Sequence, residues 1–516
     1  MVFKKVLLFV LLVLQTALSA QNKIVTVVDA NSGESIPYAT IKFGSGTQNV
    51  SNSDGKFSLP DSFEDQSTPI EVSYIGFESQ KLTFEQIEKQ GFIIKLVPAI
   101  YELNNVNISD KKEDVNAIMA KVNANLNTNY GFVDTPLSNT VFLREQNAFQ
   151  AKQFEVEITE SAIFSKKKLK EINAEVSGFA SKMKKNPPKE FKDFLGVFSV
   201  SSIKKDGKTV NTSKLNVKQA TQIVDESRSI SIDDLEKTST NLFLKHLDTT
   251  KFYRAKSGWF GSRDTISFSK EYNKNRNKKR QKEDQKPTLK NLPEARSAII
   301  TTQSKTHPIY GLNTNFFRQT EWYHYTLDGA VFTDDYKLVY VIKFRPKKSK
   351  AKYEGTLYVS ENDYAVVKAT YQLAKGKTLG GLNLKWILGI KVFENVSSGT
   401  LTYKENPTTQ KYYLQYANLE EGQYFYLNRP LKFIEIAEVE NVAIAFDLKG
   451  EGNMINKTEY LNFEQKEISE KDFANIKENS FNYLNLKKYD PKVWKEFTNI
   501  EPAEELKQYS TELGNP

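Results

Sequence analysis

The chain has 516 residues, of which 39% are hydrophobic, 12% aromatic and 26% charged. That balance describes a folded, β-leaning protein of about two to four domains and excludes a wholly disordered chain. The sequence contains no cysteine, which excludes disulfides, thiolate zinc sites, a cysteine nucleophile and a cysteine-linked lipid anchor. The formal net charge of +9 is concentrated in a few places.

Residues 1–20 carry Lys4 and Lys5, the apolar run Val6 to Leu14, and Ala17-Leu18-Ser19-Ala20 before Gln21. This is the order of a secretory signal peptide, with cleavage expected near Ala20, although Leu18 is larger than the small residue usual there. The apolar run is short for a membrane span. Loss of Lys4 and Lys5 lowers the net charge from +9 to +7.

Residues 21–98 read as a small all-β sandwich. Ile24 to Val28 is a β-branched run, and Asp29 to Gly33 is a cluster of turn formers, the signature of a strand followed by a turn. A strand follows at Ala39 to Phe43, with Pro37 ahead of it where a missing N–H costs no ladder bond. Asn52-Ser53-Asp54-Gly55 is a tight turn, because Asp bonds its own backbone and Gly accepts positive φ. Phe57 and Leu59 point one way from the next strand. Val72, Tyr74 and a kink at Gly76 follow, and Phe92, Ile94 and Leu96 close the set. The ordered motifs Ile36-Pro37-Tyr38-Ala39, Ser51 to Phe57 and Ser73-Tyr74-Ile75-Gly76-Phe77 resemble the carboxypeptidase-regulatory-like domain, a transthyretin-like β-sandwich frequent in envelope proteins of Bacteroidetes-type bacteria. The resemblance implies a non-catalytic module at the head of an exported protein. No transporter plug or long series of barrel strands follows it.

Residues 99–130 read as a linker and a helix. Asp114 caps a segment whose Val115, Ile118, Val122 and Leu126 recur at helical spacing, ending near Asn129-Tyr130-Gly131. Residues 131–312 are a mixed α/β region. Thr140 to Glu145 and Phe154 to Phe164 alternate as two strands and resemble a strand pair that follows such sandwiches in large envelope proteins. Arg144 with Glu145 or Glu160 is expected to form a partly buried ion pair fixing the register. Lys166 to Leu247 mixes helix and loop, and Phe191, Phe194, Leu195 and Phe198 form a helix-spaced core stripe. The basic stretch 270–286 is poor in apolar residues and reads as a solvated loop. Only Tyr272 interleaves its basic residues, so no nucleic-acid partner is expected.

Residues 313–465 are an antiparallel β domain. The strand candidates are Trp322 to Leu327, Tyr336 to Phe344, Tyr353 to Val359, Tyr364 to Leu373, Leu384 to Phe393, Gly399 to Tyr403, Lys411 to Leu419 and Ile434 to Ala437. Polar residues interrupt them too often for an outer-membrane barrel. The hairpin Tyr353 to Val359 with Asp363 to Val367 resembles half-barrel proteins related to periplasmic lipoprotein carriers. That resemblance implies a curved sheet whose concavity either shelters acyl chains or is filled as core, the filled core being favoured. Residues 466–516 form a C-terminal segment in which Trp494 and Phe497 anchor the chain before a polar tail.

His246, His307 and His324 are the only histidines and none sits in a metallopeptidase motif. His324, between Tyr323 and Tyr325, is expected to pack in a sheet. Gly376-Lys377-Thr378 and Gly380-Gly381 lack P-loop spacing and read as a loop. The pairs Asp233-Asp234 and Asp334-Asp335 read as solvated turns. No catalytic, cofactor-binding or metal-binding residue is nominated.

The expected fold is mainly β: a transthyretin-like sandwich, then an α+β body with a large antiparallel, half-barrel-like sheet. The expected function is a non-enzymatic exported cell-envelope protein of the periplasm or the periplasmic face of the outer membrane. It would bind or assemble through the sandwich and the curved sheet, with an envelope protein, a lipid or a glycan as partner. The competing expectation is a hydrolase with an unrecognised carboxylate site in the C-terminal sheet.

Overall fold

The computed structural model describes residues 23–44, 47–59, 68–99, 114–162, 164–185, 187, 189–205, 208–224, 251–257, 260–261, 266–267, 291–333, 337–437, 441–495 and 500–508. The signal peptide, residues 100–113, the basic stretch 270–286, His246, both aspartate pairs and Phe497 lie outside them. The chain is mainly β, as expected, and forms two units. One comprises residues 1–110, 329–341 and 489–516; the other comprises residues 111–328 and 342–488.

The first unit is built on a sandwich. Strand β1 (Ile24–Asp29) pairs antiparallel with β4 (Lys56–Ser58) and parallel with β7 (Ile93–Leu96). The second sheet has the order β3 (Thr47–Val50), β2 (Thr40–Phe43), β5 (Ile70–Ser73) and β6 (Gln80–Leu82), antiparallel throughout. Alternation puts Val25, Val27, Ile41, Phe43, Phe57, Ile70, Val72, Ile94 and Leu96 into one core. A short helix, α1 (Phe84–Lys89), adds Phe84 and Ile87. It starts where it does because Thr83 and Gln86 form a reciprocal capping box.

The second unit opens with α2 (Val115–Tyr130), capped by Asp114 and ended at Gly131, with Ile118, Val122 and Leu126 buried. Strands β8 (Leu137–Ser161), β9 (Lys189–Lys205) and β10 (Lys208–Val224) then run antiparallel, with α3 (Lys166–Lys185) between β8 and β9. Short strands β11 (Phe252–Ser257), β12 (Phe260–Gly261) and β13 (Ile266–Ser267) and helix α4 (Leu292–Thr306) follow. Next come β14 (Tyr323–Phe332) and β15 (Leu338–Pro346), of which residues 329–332 and 338–341 belong to the first unit, then β16 (Tyr353–Ser360), β17 (Val366–Leu373), β18 (Gly381–Leu384), the single turn α5 (Lys385–Leu388), β19 (Ile390–Glu405), β20 (Tyr412–Glu435) and β21 (Asn441–Glu467). Helix α6 (Glu470–Asn475) and strand β22 (Leu484–Leu486) complete it. The large sheet runs β16, β17, β19, β20, β21, β8, β9, β10, β22, with β14 and β15 at the β16 end and β11 and β18 as side branches. It is mixed because β22 joins β10 in parallel.

Several expectations are corrected. The two strands at Thr140 and Phe154 are one 25-residue strand; nothing between Gln146 and Gln153 breaks it, since the stretch holds neither Gly nor Pro. Phe191 to Phe198 lies on β9 and is not helical. Phe191, Phe194 and Phe198 are all buried, and a strand covered on both faces imitates helical spacing. The Leu384 to Phe393 strand is interrupted by α5, which ends where Gly389 takes φ +63°. Gly399 to Tyr403 and Ile434 are merely parts of the long strands β19 and β20, and β21 continues well past Phe446.

The aromatic face of β14 to β17 is packed as core. Phe316, from the 3-10 turn Leu312–Phe317, packs on Phe317, Phe344, Tyr323, Tyr353 and Tyr371 with ring centroids 4.4 to 6.3 Å apart. Tyr371 has room because its cross-strand neighbours are Gly355 and Gly399. A Cβ on Gly399 would meet its ring at 2.7 Å.

Candidate functional site

The buried charge that sequence pairs with Glu145 or Glu160 is engaged elsewhere. Arg144 on β8 is flanked in register by Asp193 on β9 and Glu459 on β21. Its guanidinium donates to both Asp193 oxygens at 2.9 and 2.7 Å and to Glu459 at 3.2 Å. Glu145 is adjacent on the strand, so its side chain leaves the sheet on the other face; burial there pushes its carboxyl up, opposed by Lys192. Glu160 lies farther along the strand and bonds Lys432 at 3.3 Å. Arg144 is therefore spent on joining three strands.

The two histidines among the described residues are also accounted for. His307 ends α4, stacks on Tyr310 at 4.0 Å and accepts from the Ile309 N–H at 3.2 Å. Burial and the nearby Arg318 push its imidazole down to about 4, so it stays neutral and organises the loop. His324 is exposed while Tyr323 and Tyr325 are buried, which corrects its expected packing: alternation turns it to solvent. Among the described residues, no group of three or more His, Asp or Glu side chains is placed to hold a metal. No helix described is long and apolar enough to cross a membrane.

Two surfaces have binding geometry. The first is in the sandwich unit. Asn52 Oδ1 accepts from the Asp54 and Lys56 N–H groups at 2.8 and 2.9 Å, closing the turn that the sequence predicts. Gly55 takes φ +72°, and a Cβ there would meet the Val27 carbonyl oxygen at 2.8 Å, so glycine is required. This turn grips the chain's own residues 500–507. Asn52 Nδ2 donates to the Pro502 carbonyl at 3.1 Å, Asp54 Oδ2 accepts from the Glu504 N–H at 2.7 Å, and Lys56 pairs with Glu504 at 3.1 Å. Ser58 donates to Glu501, and Val50 at the end of edge strand β3 bridges Ile500 in parallel. The short helix α7 (Pro491–Lys495) precedes this segment, and α8 (Glu504–Lys507) ends it with Leu506 fully buried. Partial burial works to raise the Glu504 carboxyl, but Lys56 and Lys507 hold it below its ordinary value. The tail expected to be merely polar is thus a docked segment. Trp494 is the buried anchor expected, beside Tyr489 at 5.2 Å.

The second surface is a polar groove of about 360 Å³ across β16, β17, β19 and β20. Its side chains include Glu354, Gln372, Ser398, Thr400, Asn418 and Glu420. Cross-strand register aligns Glu354, Gln372, Ser398 and Glu420 in one row, on the face opposite Tyr371. Gln372 approaches Glu354 at 3.4 Å. Farther along that face of β17 lies Lys368, almost fully buried over the Tyr358 ring at 4.9 Å, and burial pushes its ammonium down to about 8. Neither this row nor Lys368 was nominated from sequence, because Glu354, Ser398 and Glu420 become neighbours only through strand pairing. Gly376 to Gly380 lie in the loop before β18, as expected, whereas Gly381 opens that strand and pairs with Phe393.

No curated protein matches the chain. A solved structure of lipovitellin, described for its lipid–protein interactions, aligns at 9% identity and a TM-score of 0.21, over 70% of this chain and 28% of that one. The chain thus spans under a third of that protein's length, and a likeness this low carries no argument. Residues 26–108 match the family model of the CarboxypepD_reg-like domain. The strands, the Asn52 turn and the core described above coincide with that match, and the N-terminal part of the chain is a CarboxypepD_reg-like domain.

Proposed function

We propose that this chain is a non-catalytic binding or assembly protein of the cell envelope, in which the sandwich is an adaptor that holds extended polypeptide segments. The observation that carries the reading is the grip of Asn52, Asp54 and Lys56 on residues 502–504. It uses backbone bonds, a charge pair and an edge-strand bridge, the means by which sheets recognise peptides. A CarboxypepD_reg-like domain is of an adaptor type, and the leader-like residues 1–20 direct the chain to export. The large sheet then offers the second surface. Fractionation of the producing cells tests the placement: the chain is expected in the envelope with its N-terminus trimmed near Ala20. An untrimmed chain in the cytoplasm contradicts it.

One observation favours a hydrolase instead. Glu354 and Glu420 line a single open groove, with the depressed Lys368 on the same face of β17, and paired carboxylates are the means of glycoside hydrolysis. Ester, peptide and glycoside substrates decide between the two. Turnover abolished by Glu354→Gln or Glu420→Gln establishes the enzyme; no turnover leaves the binding reading standing.

A further inference from the structure

We infer that the tip formed by β18, α5 and the start of β19 docks the protein on an anionic lipid surface. This goes beyond the adaptor reading and does not depend on the sandwich. Trp386 is 96% exposed, the most exposed of the large hydrophobic side chains described, and Leu382 four residues before it is 53% exposed. Folding normally buries an indole, and leaving one wholly in water forfeits the burial energy of the largest side chain. The backbone holds it out: α5 is a single turn, closed at Gly389, whose φ of +63° and whose approach to the Asn428 carbonyl leave no space for a Cβ.

The chemistry around the tip selects the partner. Lys385 sits over the Tyr426 ring at 4.3 Å, and Lys391 over Phe393 at 4.6 Å and Tyr424 at 5.7 Å. Phe393 and Tyr424 lie side by side, 4.7 Å apart. Lys375 and Lys377 lie in the loop that leads into β18. Among the described residues, neither Lys385 nor Lys391 makes a salt bridge; Glu451 pairs with Lys152 at 2.6 Å, bonds Tyr424 and also lies within the field of Lys385, and Glu394 is the acidic residue on the same stretch of β19. An outward indole and leucine, a shelf of tyrosine and phenylalanine, and lysines poised above the rings are the elements of an interfacial anchor. The indole and leucine enter the headgroup boundary, the tyrosines lie at headgroup level, and the ammonium groups meet lipid phosphates. Carbohydrate would also stack on such rings, but it offers no apolar layer for Leu382 and, when neutral, no counter-charge for the lysines.

The test is flotation of the mature full-length chain with vesicles of phosphatidylglycerol and phosphatidylethanolamine, against vesicles of phosphatidylcholine. The wild type is expected to float with the anionic vesicles and to release as salt rises. Trp386→Ala is expected to weaken partition about tenfold or more, and Lys385→Ala and Lys391→Ala roughly fivefold each. Thermal unfolding of Trp386→Ala should match the wild type, because the side chain is exposed. Failure of the wild type to float overturns the inference. So does equal flotation of Trp386→Ala, or Trp386-dependent retention on a neutral polysaccharide without vesicle binding.

Discussion

Arg144 and Asp193 face one another at the same register on β8 and β9, joined by two bonds of 2.9 and 2.7 Å, with Arg144 only 5% and Asp193 only 1% exposed. Desolvating both charges is costly, so the pair persists because each partner satisfies the other and Glu459 takes a further Arg144 donor. Arg144→Met is expected to cost about 3–5 kcal/mol, because it strands Asp193. Replacing Arg144, Asp193 and Glu459 together with Met, Leu and Leu should recover most of that loss. Urea unfolding of the two variants measures it.

The His307 imidazole is pushed down to about 4 in the folded chain, by burial and then by Arg318, against about 6.5 when unfolded. Its contribution to stability is therefore whole above pH 6.5 and is lost as pH falls from 6.5 toward 4, where the unfolded chain binds the proton and the folded one does not. Between pH 7.5 and pH 5 the wild type should lose about 2 kcal/mol that His307→Gln does not lose. Denaturant titrations of both proteins at the two pH values test this.

Leu506 is fully buried where residues 500–508 lie on the sandwich turn. Leu506→Ala is expected to weaken that docking by about 2–5 kcal/mol. Hydrogen exchange should then quicken at the Glu504 amide, which Asp54 accepts in the wild type, while the amides of β1 and β4 keep their protection.

Gly55→Ala should destabilise the sandwich by about 1–3 kcal/mol, since alanine is strained at a φ of +72° and its Cβ would press on the Val27 carbonyl. A lowered unfolding midpoint of the sandwich, with the large sheet unaffected, is the expected outcome.

How much was legible in the sequence depended on the range of the interaction. The sandwich and α2 were readable because their signals are local: Asn52 to Gly55 closes a turn with its own atoms, and Asp114 caps the helix that follows it. The β character of residues 313–465 was equally plain, but strand ends were not, because β8, β20 and β21 run on through residues that are half-buried on both faces and carry no strong alternation. Arg144 could be read as a buried ion-pair former, yet its partners Asp193 and Glu459 lie on other strands whose register no local pattern fixes. The groove row of Glu354, Gln372, Ser398 and Glu420 was hidden for the same reason. The docked segment was hidden because Asn52 and Pro502 are 450 positions apart.

The grip of the sandwich on its own C-terminal segment is open to a binding assay in which the chain ends at Asn499 and a synthetic peptide of residues 500–508 is added in solution. Saturable binding is expected, weak for so short a segment, and should disappear with Asn52→Ala and Asp54→Ala. A folded, truncated chain that ignores the peptide, or binds it equally well with both substitutions, would contradict that grip.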